Sequence, residues 1–190
     1  MSETLTEQDR ALLALAADRH RPLGRAARIA MMNGGGLAAF GVLTILLAAL
    51  EPDCAAAILG GVLLYVGVAE RRAATRMRHG DLDAPRRLAI NELILMGAIV
   101  TYGLLKLTVL RPNSTELTQA VANAMPDFDV EGLMDSMTTT VYATVIAVAL
   151  LYQGGLARYF WRRKSDVARF NSEIPAWARE VAVRMSVTGS

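Results

Sequence analysis

Residues 70–87 read ERRAATRMRHGDLDAPRR. This stretch holds six arginines, a Gly80-Asp81 break and Pro85, and a pair of long apolar runs lies on either side of it. Arginines gathered beside apolar runs mark the boundary between lipid and cytoplasm, because Lys and Arg are retained on that side during insertion. The stretch therefore reads as a cytoplasmic junction between two membrane hairpins. A helix continuing from the second apolar run stops at Gly80, a residue suited to a left-handed cap. Asp81 or Asp83, with Pro85 close behind, starts the next helix.

The flanking runs have the lengths that spans require. Residues 29–50 cover about 33 Å at ~1.5 Å per residue, against a hydrocarbon core of ~30 Å. Residues 54–69 cover only about 24 Å, a mismatch that local thinning or snorkelling flanks can absorb. Residues 88–110 and 138–160 are again long enough to cross. Between the first two runs lies a tight acidic turn, Glu51-Pro52-Asp53. Before them a leader over 2–20 has a capping-box spacing at Thr4 and Glu7 and a stripe of Leu5, Leu12, Leu15 and Ala16. Pro22 and Gly24 are expected to end that helix. Past the third run, Asn113 and Glu116 repeat the capping spacing, and Asp129 caps a second short helix leading into the fourth run. The acids Glu116, Asp127, Asp129, Glu131 and Asp135 collect there. At the far end of the chain, Ser172 to Val187 reads as an amphipathic helix with Pro175 in its first turn.

The fold class that follows is all-α: an integral membrane four-helix bundle of two transmembrane hairpins with short amphipathic flanking helices. Its parts are an amphipathic helix over 1–28, a first hairpin over 29–69, the arginine-rich junction over 70–87 and a second hairpin over 88–161. An extracytoplasmic helical loop occupies 111–137, and an amphipathic tail 162–190. Orientation comes from the basic residues. Five arginines precede the first run, six lie in the junction and seven Lys or Arg follow from Arg158, leaving only Lys106 and Arg111 on the other side. Both termini are thus placed in the cytoplasm. Arginine heavily outnumbers lysine, as in GC-rich bacterial genomes, which points to a bacterial inner membrane. The charged leader is not a secretory signal, and the chain is expected to remain whole.

Composition narrows function more than it names one. The net charge of +2 gives no basic field for nucleic acid. One cysteine, Cys54, and two histidines outside the apolar runs leave no ligand set for a metal or haem within a span. No cofactor is expected. The Gly34-Gly35-Gly36 run lacks the lysine and serine of a phosphate loop and reads as close helix packing, with Ala56, Gly60, Ala57 and Gly61 opposite it. Ala143, Ala147 and Gly154 make a similar stripe in the fourth run. Asn91 and Glu92 lie one turn inside the third run, where Glu92 can meet Arg86, Arg87 or another arginine of the junction, and Lys106 can snorkel outward near the other end. The spans offer no paired carboxylates, so no catalytic residue is assigned and the chain reads as not an enzyme.

The two hairpins read as copies. Arg28-Ile29-Ala30 with Asn33 matches Arg87-Leu88-Ala89 with Asn91, and LLYVGVAERR (63–72) matches LLYQGGLARYFWRR (150–163). That makes Tyr65 equivalent to Tyr152 and gives a parallel repeat. The arginines before Gly80-Asp81, the run Arg86-Arg87-Leu88-Ala89-Ile90-Asn91, the late tyrosine–arginine segment and Pro175-Ala176-Trp177 resemble small uncharacterised bacterial four-span membrane proteins. The resemblance covers the junction, the start of the third span and the C-terminal third. It implies no activity and carries over no functional residue; Glu92 stands where that group has glutamine.

Two functions remain. The first is a non-enzymatic scaffold, assembly or accessory subunit working through helix contacts, as a homo-oligomer or with a membrane partner. The second is a small oligomeric transporter or channel, with a polar girdle of Asn33, Asn91 and Glu92 and a path lined by Tyr65, Tyr102 and Tyr152. In either case Arg71, Arg72, Arg76, Arg78, Arg162, Arg163 and Lys164 are positioned to meet anionic headgroups of the bilayer.

Overall fold

The computed structural model describes residues 6–50, 53–109 and 129–188. They form helices α1 (Glu7–Leu50), α2 (Cys54–Arg78), α3 (Ala84–Thr108), α4 (Val130–Glu173) and α5 (Ala176–Thr188). No strand occurs among the described residues. α1 packs along α2 and α3 along α4, so the chain is two hairpins, joined mainly through α2 against α3. Four of the helices are long and apolar enough to cross a membrane. The protein is an all-α, multi-pass membrane protein. The turn residues Glu51 and Pro52, Thr4 of the expected capping box, and the expected helical loop with Asn113, Glu116 and Asp127 lie outside the described residues.

The helices run further than the apolar segments. α1 continues through Pro22 and Gly24 without a break, where two helices were expected. An interior proline removes one hydrogen bond and costs ~3 kcal/mol in an isolated helix. Here a single buried seam offsets that loss. It passes through Ala16, His20, Leu23, Ala27, Ala30, Gly34 and Gly41, on both sides of the proline. Alternating steps of three and four keep one face of a helix against its neighbours. The start of α1 is closed by reciprocal bonds between Thr6 and Asp9: the Thr6 amide donates to Asp9 Oδ2 (3.0 Å) and the Asp9 amide to Thr6 Oγ1 (3.2 Å). Asp129 caps α4 by accepting from the Gly132 amide at 2.8 Å, and the helix then runs unbroken to Glu173. The short separate helix expected there is thus the first turns of the span. At the junction, Gly80 takes the left-handed conformation (φ 77°) that ends α2, as its position foretold.

Within the first hairpin the backbones nearly touch. A methyl group on Gly41 would sit 2.6 Å from the Leu64 nitrogen, and one on Gly67 would sit 2.6 Å from the Gly34 carbonyl oxygen. Gly34 and Gly41 on α1 therefore face Gly60 and Gly67 on α2. The expectation of close packing holds for Gly34 and Gly60, whereas Gly35, Gly36 and Gly61 look onto open space.

The largest core lies at the arginine-rich end. Leu23, Met77, Leu88, Phe160, Val167 and Phe170 are fully buried there, with Ala178 of α5 folded against them. Polar links lock this cap. His20 Nε2 meets the Arg78 carbonyl at 3.0 Å, Asn171 Nδ2 donates to the Gly80 carbonyl at 2.7 Å, and Arg19 pairs with Glu173 at 2.7 Å. A smaller cluster of Leu63, Val66 and Leu95 continues into the spans. Beyond it the helices expose apolar side chains such as Phe40, Leu47, Val148 and Leu151, as lipid-facing surfaces do.

Candidate functional site

The interior of the bundle contains two carboxyl groups where an apolar core would ordinarily be. α2 buries Leu63, Val66, Gly67, Ala73, Ala74 and Met77, and the same helical phase carries Glu70 inward. α3 buries Leu88, Ala89 and Leu95, and that phase carries Glu92 inward. Both side chains are 0% exposed. α1 supplies the group between them. Gly34 has no side chain and lets α1 approach so closely that a methyl there would meet the Glu70 Cβ at 3.0 Å. The neighbouring Asn33 then reaches both acids with one amide nitrogen: Nδ2 donates to Glu70 Oε2 at 3.0 Å and to Glu92 Oε1 at 3.2 Å.

Among the described residues no other side chain or amide donates to the second oxygen of either acid, Glu70 Oε1 and Glu92 Oε2, both of which are buried. A buried polar atom in that condition costs roughly 1–3 kcal/mol, and more if the group is charged. Two ionised carboxylates held side by side in a low-dielectric interior also repel strongly. A proton on one of the acids relieves both costs, since it removes one charge and supplies a donor to a buried oxygen.

Sequence reading anticipated part of this. It singled out Asn33 and Glu92, and the structure brings them together. Glu92 meets Asn33 in place of the expected Arg86, Arg87 or another arginine of the junction, and Glu70, although it opens the arginine-rich stretch, is buried beside the same amide. Arg86 and Arg87 stand six and five positions before Glu92 and are exposed, on another face of α3. It also found no paired carboxylates in the spans, and Glu70 with Glu92 is such a pair. The signal for Glu70 was present: it has apolar residues three and four positions away on both sides.

The remaining candidates are dispersed. Asn91, read as the equivalent of Asn33, faces a separate cleft of about 440 Å³ between α2 and α3, together with Tyr65, Arg72, Arg76 and Arg87. Tyr102 sits near the other end of the bundle, edge-on to Tyr142 at 6.2 Å. Tyr152 is 52% exposed on the outer surface. The three tyrosines thus line no common path. Lys106 reaches outward to the turn before α2: Nζ donates to Asp53 Oδ2 at 2.6 Å and lies 5.7 Å from the Tyr102 ring centre. That ammonium, followed by the Ala56 amide, holds the Asp53 carboxyl below its ordinary value. Gln153 is a further buried polar residue, with Oε1 unpartnered.

The arginines divide into two sets. Arg71 lays its stem against Gly34, Arg78 points to the Met31 sulfur at 3.9 Å, and Arg163 pairs with Asp166 at 2.8 Å while stacking over Tyr159. Arg72 and Arg76 open to the cleft, and Arg162 and Lys164 are exposed on α4.

No family model, curated protein or solved structure matches this chain.

Proposed function

We propose that this is a non-enzymatic multi-pass protein of a bacterial inner membrane that binds and releases a proton at Glu70–Asn33–Glu92, as the coupling site of a small oligomeric transporter. The observation that carries the reading is the single Asn33 amide shared by two fully buried carboxyl groups. Ionisable groups inside a membrane bundle are expensive, and proton relays are a main use of them. A proton suits the pair better than a metal ion does. Asn33 turns its NH₂ toward the acids, and that end of an amide repels cations while an amide oxygen would ligate them. A proton on one acid supplies the donor that a buried oxygen lacks. A hydrolytic or acid–base enzyme fits less well, since neither acid is exposed to a substrate.

The arginine-rich end is placed in the cytoplasm with both termini, following the distribution of Lys and Arg, and its exposed basic residues meet anionic headgroups there. Four spans in one copy are few for a permeation path, so transport requires at least a dimer. The two hairpins are taken as descendants of one duplicated unit. A scaffold is the second reading, and one observation favours it: Ala143 and Ala147 are exposed on α4, where a second helix could seat closely.

Reconstituted vesicles under an imposed pH gradient test the proposal. Wild type is expected to dissipate the gradient, and Glu92→Gln and Glu70→Gln to abolish that activity while the protein still inserts and melts normally. No flux in wild type, or flux indifferent to both changes, removes the transporter; co-purification of a stoichiometric membrane partner would then leave the scaffold.

A further inference from the structure

The cleft between α2 and α3 is lined by Ala69 and Asn91, the chain neighbours of Glu70 and Glu92, but not by the acids themselves, and its own chemistry indicates a ligand. Arg72 and Arg76 stand one helical turn apart on the same face of α2, and Arg87 reaches the same cleft from the first turns of α3. None of the three guanidinium groups has a side-chain partner among the described residues. Three exposed guanidinium groups line one open cleft of about 440 Å³, and an anion seated there meets all three at once. Guanidinium is the side chain best matched to phosphate, which it binds through two parallel N–H groups.

The cleft is not uniformly polar. Its other half is lined by Tyr65, Val68 and Ile90, which are 68%, 37% and 40% exposed. Along α2, Tyr65 and Val68 lie toward the span and Arg72 and Arg76 toward the junction; along α3, Ile90 lies spanward of Arg87. A soluble phosphate would leave that apolar half uncovered. A phospholipid satisfies both halves at once, with its phosphate among the arginines and its acyl chains against Val68 and Ile90. We propose that this cleft is a seat for a single anionic phospholipid. It is distinct from the general attraction of the exposed Arg162 and Lys164 to a charged surface. The inference is independent of the proton-binding reading, because none of its residues belongs to the acid pair.

The test uses the full chain in nanodiscs of phosphatidylcholine with a minor fraction of phosphatidylglycerol, examined by native mass spectrometry after gentle release. One phosphatidylglycerol per chain is expected to stay bound. In Arg72→Ala/Arg76→Ala its affinity is expected to fall roughly thirtyfold, and in Arg162→Ala/Lys164→Ala it is expected to stay as in wild type. Both pairs remove two charges, so equal losses would reduce the effect to surface attraction and overturn the seat. So would retention of the lipid in the first variant, or displacement of it by millimolar inorganic phosphate, which would mark a site for a soluble anion. Arg87→Ala provides an independent arm from the opposite helix, and its melting curve reports that the bundle stays folded.

Discussion

Asn33 decides how two acids can share one interior. Its amide is the one donor given to both Glu70 and Glu92, so replacing it leaves two more acceptor oxygens buried without partners. Asn33→Ala is expected to destabilise the protein by about 1–3 kcal/mol, read as a lower melting temperature in mild detergent. Glu70→Gln in that background is expected to recover part of the loss, because the glutamine amide replaces the missing donor. Additive losses would mean that the three side chains do not act together. Asp53 offers a second single-residue test at the opposite end. Its carboxyl is held below the ordinary value of 3.8 by Lys106, so the folded state binds this proton less tightly than the unfolded chain. The stability it contributes is complete above the unfolded value and is lost as pH falls through the lower folded value. Melting temperature followed from pH 6 downward is expected to drop more steeply through that range in wild type than in Asp53→Asn. Both effects hinge on partners that are distant in the chain. Asn33, Asn91 and Glu92 were visible in the sequence as polar residues in apolar runs, but which of them meet was not, because no local pattern encodes the rotation of α1 against α2 and α3.

Helix α1 shows where the grammar of elements succeeds and where it fails. Four long apolar helices, the Gly80 stop and the Asp129 cap were all legible, since each depends on residues within a turn or two. The continuity of α1 was not, because Pro22 and Gly24 are local breakers and the packing that overrides them comes from Phe170, Met77 and Leu88 elsewhere in the chain. The glycine run failed in a different way. Composition marks Gly34, Gly35 and Gly36 alike, whereas only Gly34 shares a face with Gly41, seven positions on. Phase, and not glycine content, makes the contact. A sharp contrast is therefore expected between two substitutions on one helix. Gly41→Ala places a methyl 2.6 Å from backbone on α2, and forcing the helices apart costs about 1–3 kcal/mol or more. Gly36→Ala meets nothing within 4 Å and is expected to leave stability equal or raised by about 0.5–1 kcal/mol through helix propensity. Thermal unfolding of the two variants in the same detergent separates the outcomes; equal melting temperatures would mean that α1 and α2 do not pack as described.

The whole molecule is rigid at one end and lipid-supported at the other. Its densest core lies at the arginine-rich end, outside the most apolar stretches, where five helices meet around Leu23, Met77, Leu88, Phe160 and Phe170. Glu70 and Glu92 sit at the level where this cap gives way to the spans, so the cap fixes the separation of the helices that carry them. α5 closes the cap from outside. Ala178 and Ala182 bury against it, and Arg179 donates to Asn171, which in turn holds the Gly80 carbonyl at the junction. Removing residues 175–190 breaks that chain of contacts without touching a span. The local loss of a hydrogen bond and two buried methyl groups is roughly 1–2 kcal/mol, or about a tenfold rise in the local opening that hydrogen exchange reads. Faster exchange is expected over residues 13–24 of α1 and 76–84 of the junction, with residues 95–103 of α3 unchanged. A uniform rise across all helices would show that the cap and the spans unfold as one unit; no rise in α1 would show that α5 does not close the cap. If the expected pattern holds, the proposed proton flux, compared between the truncated protein and wild type in the same vesicles, is expected to fall, because the cap sets the geometry of Glu70 and Glu92 while the pair itself is left intact.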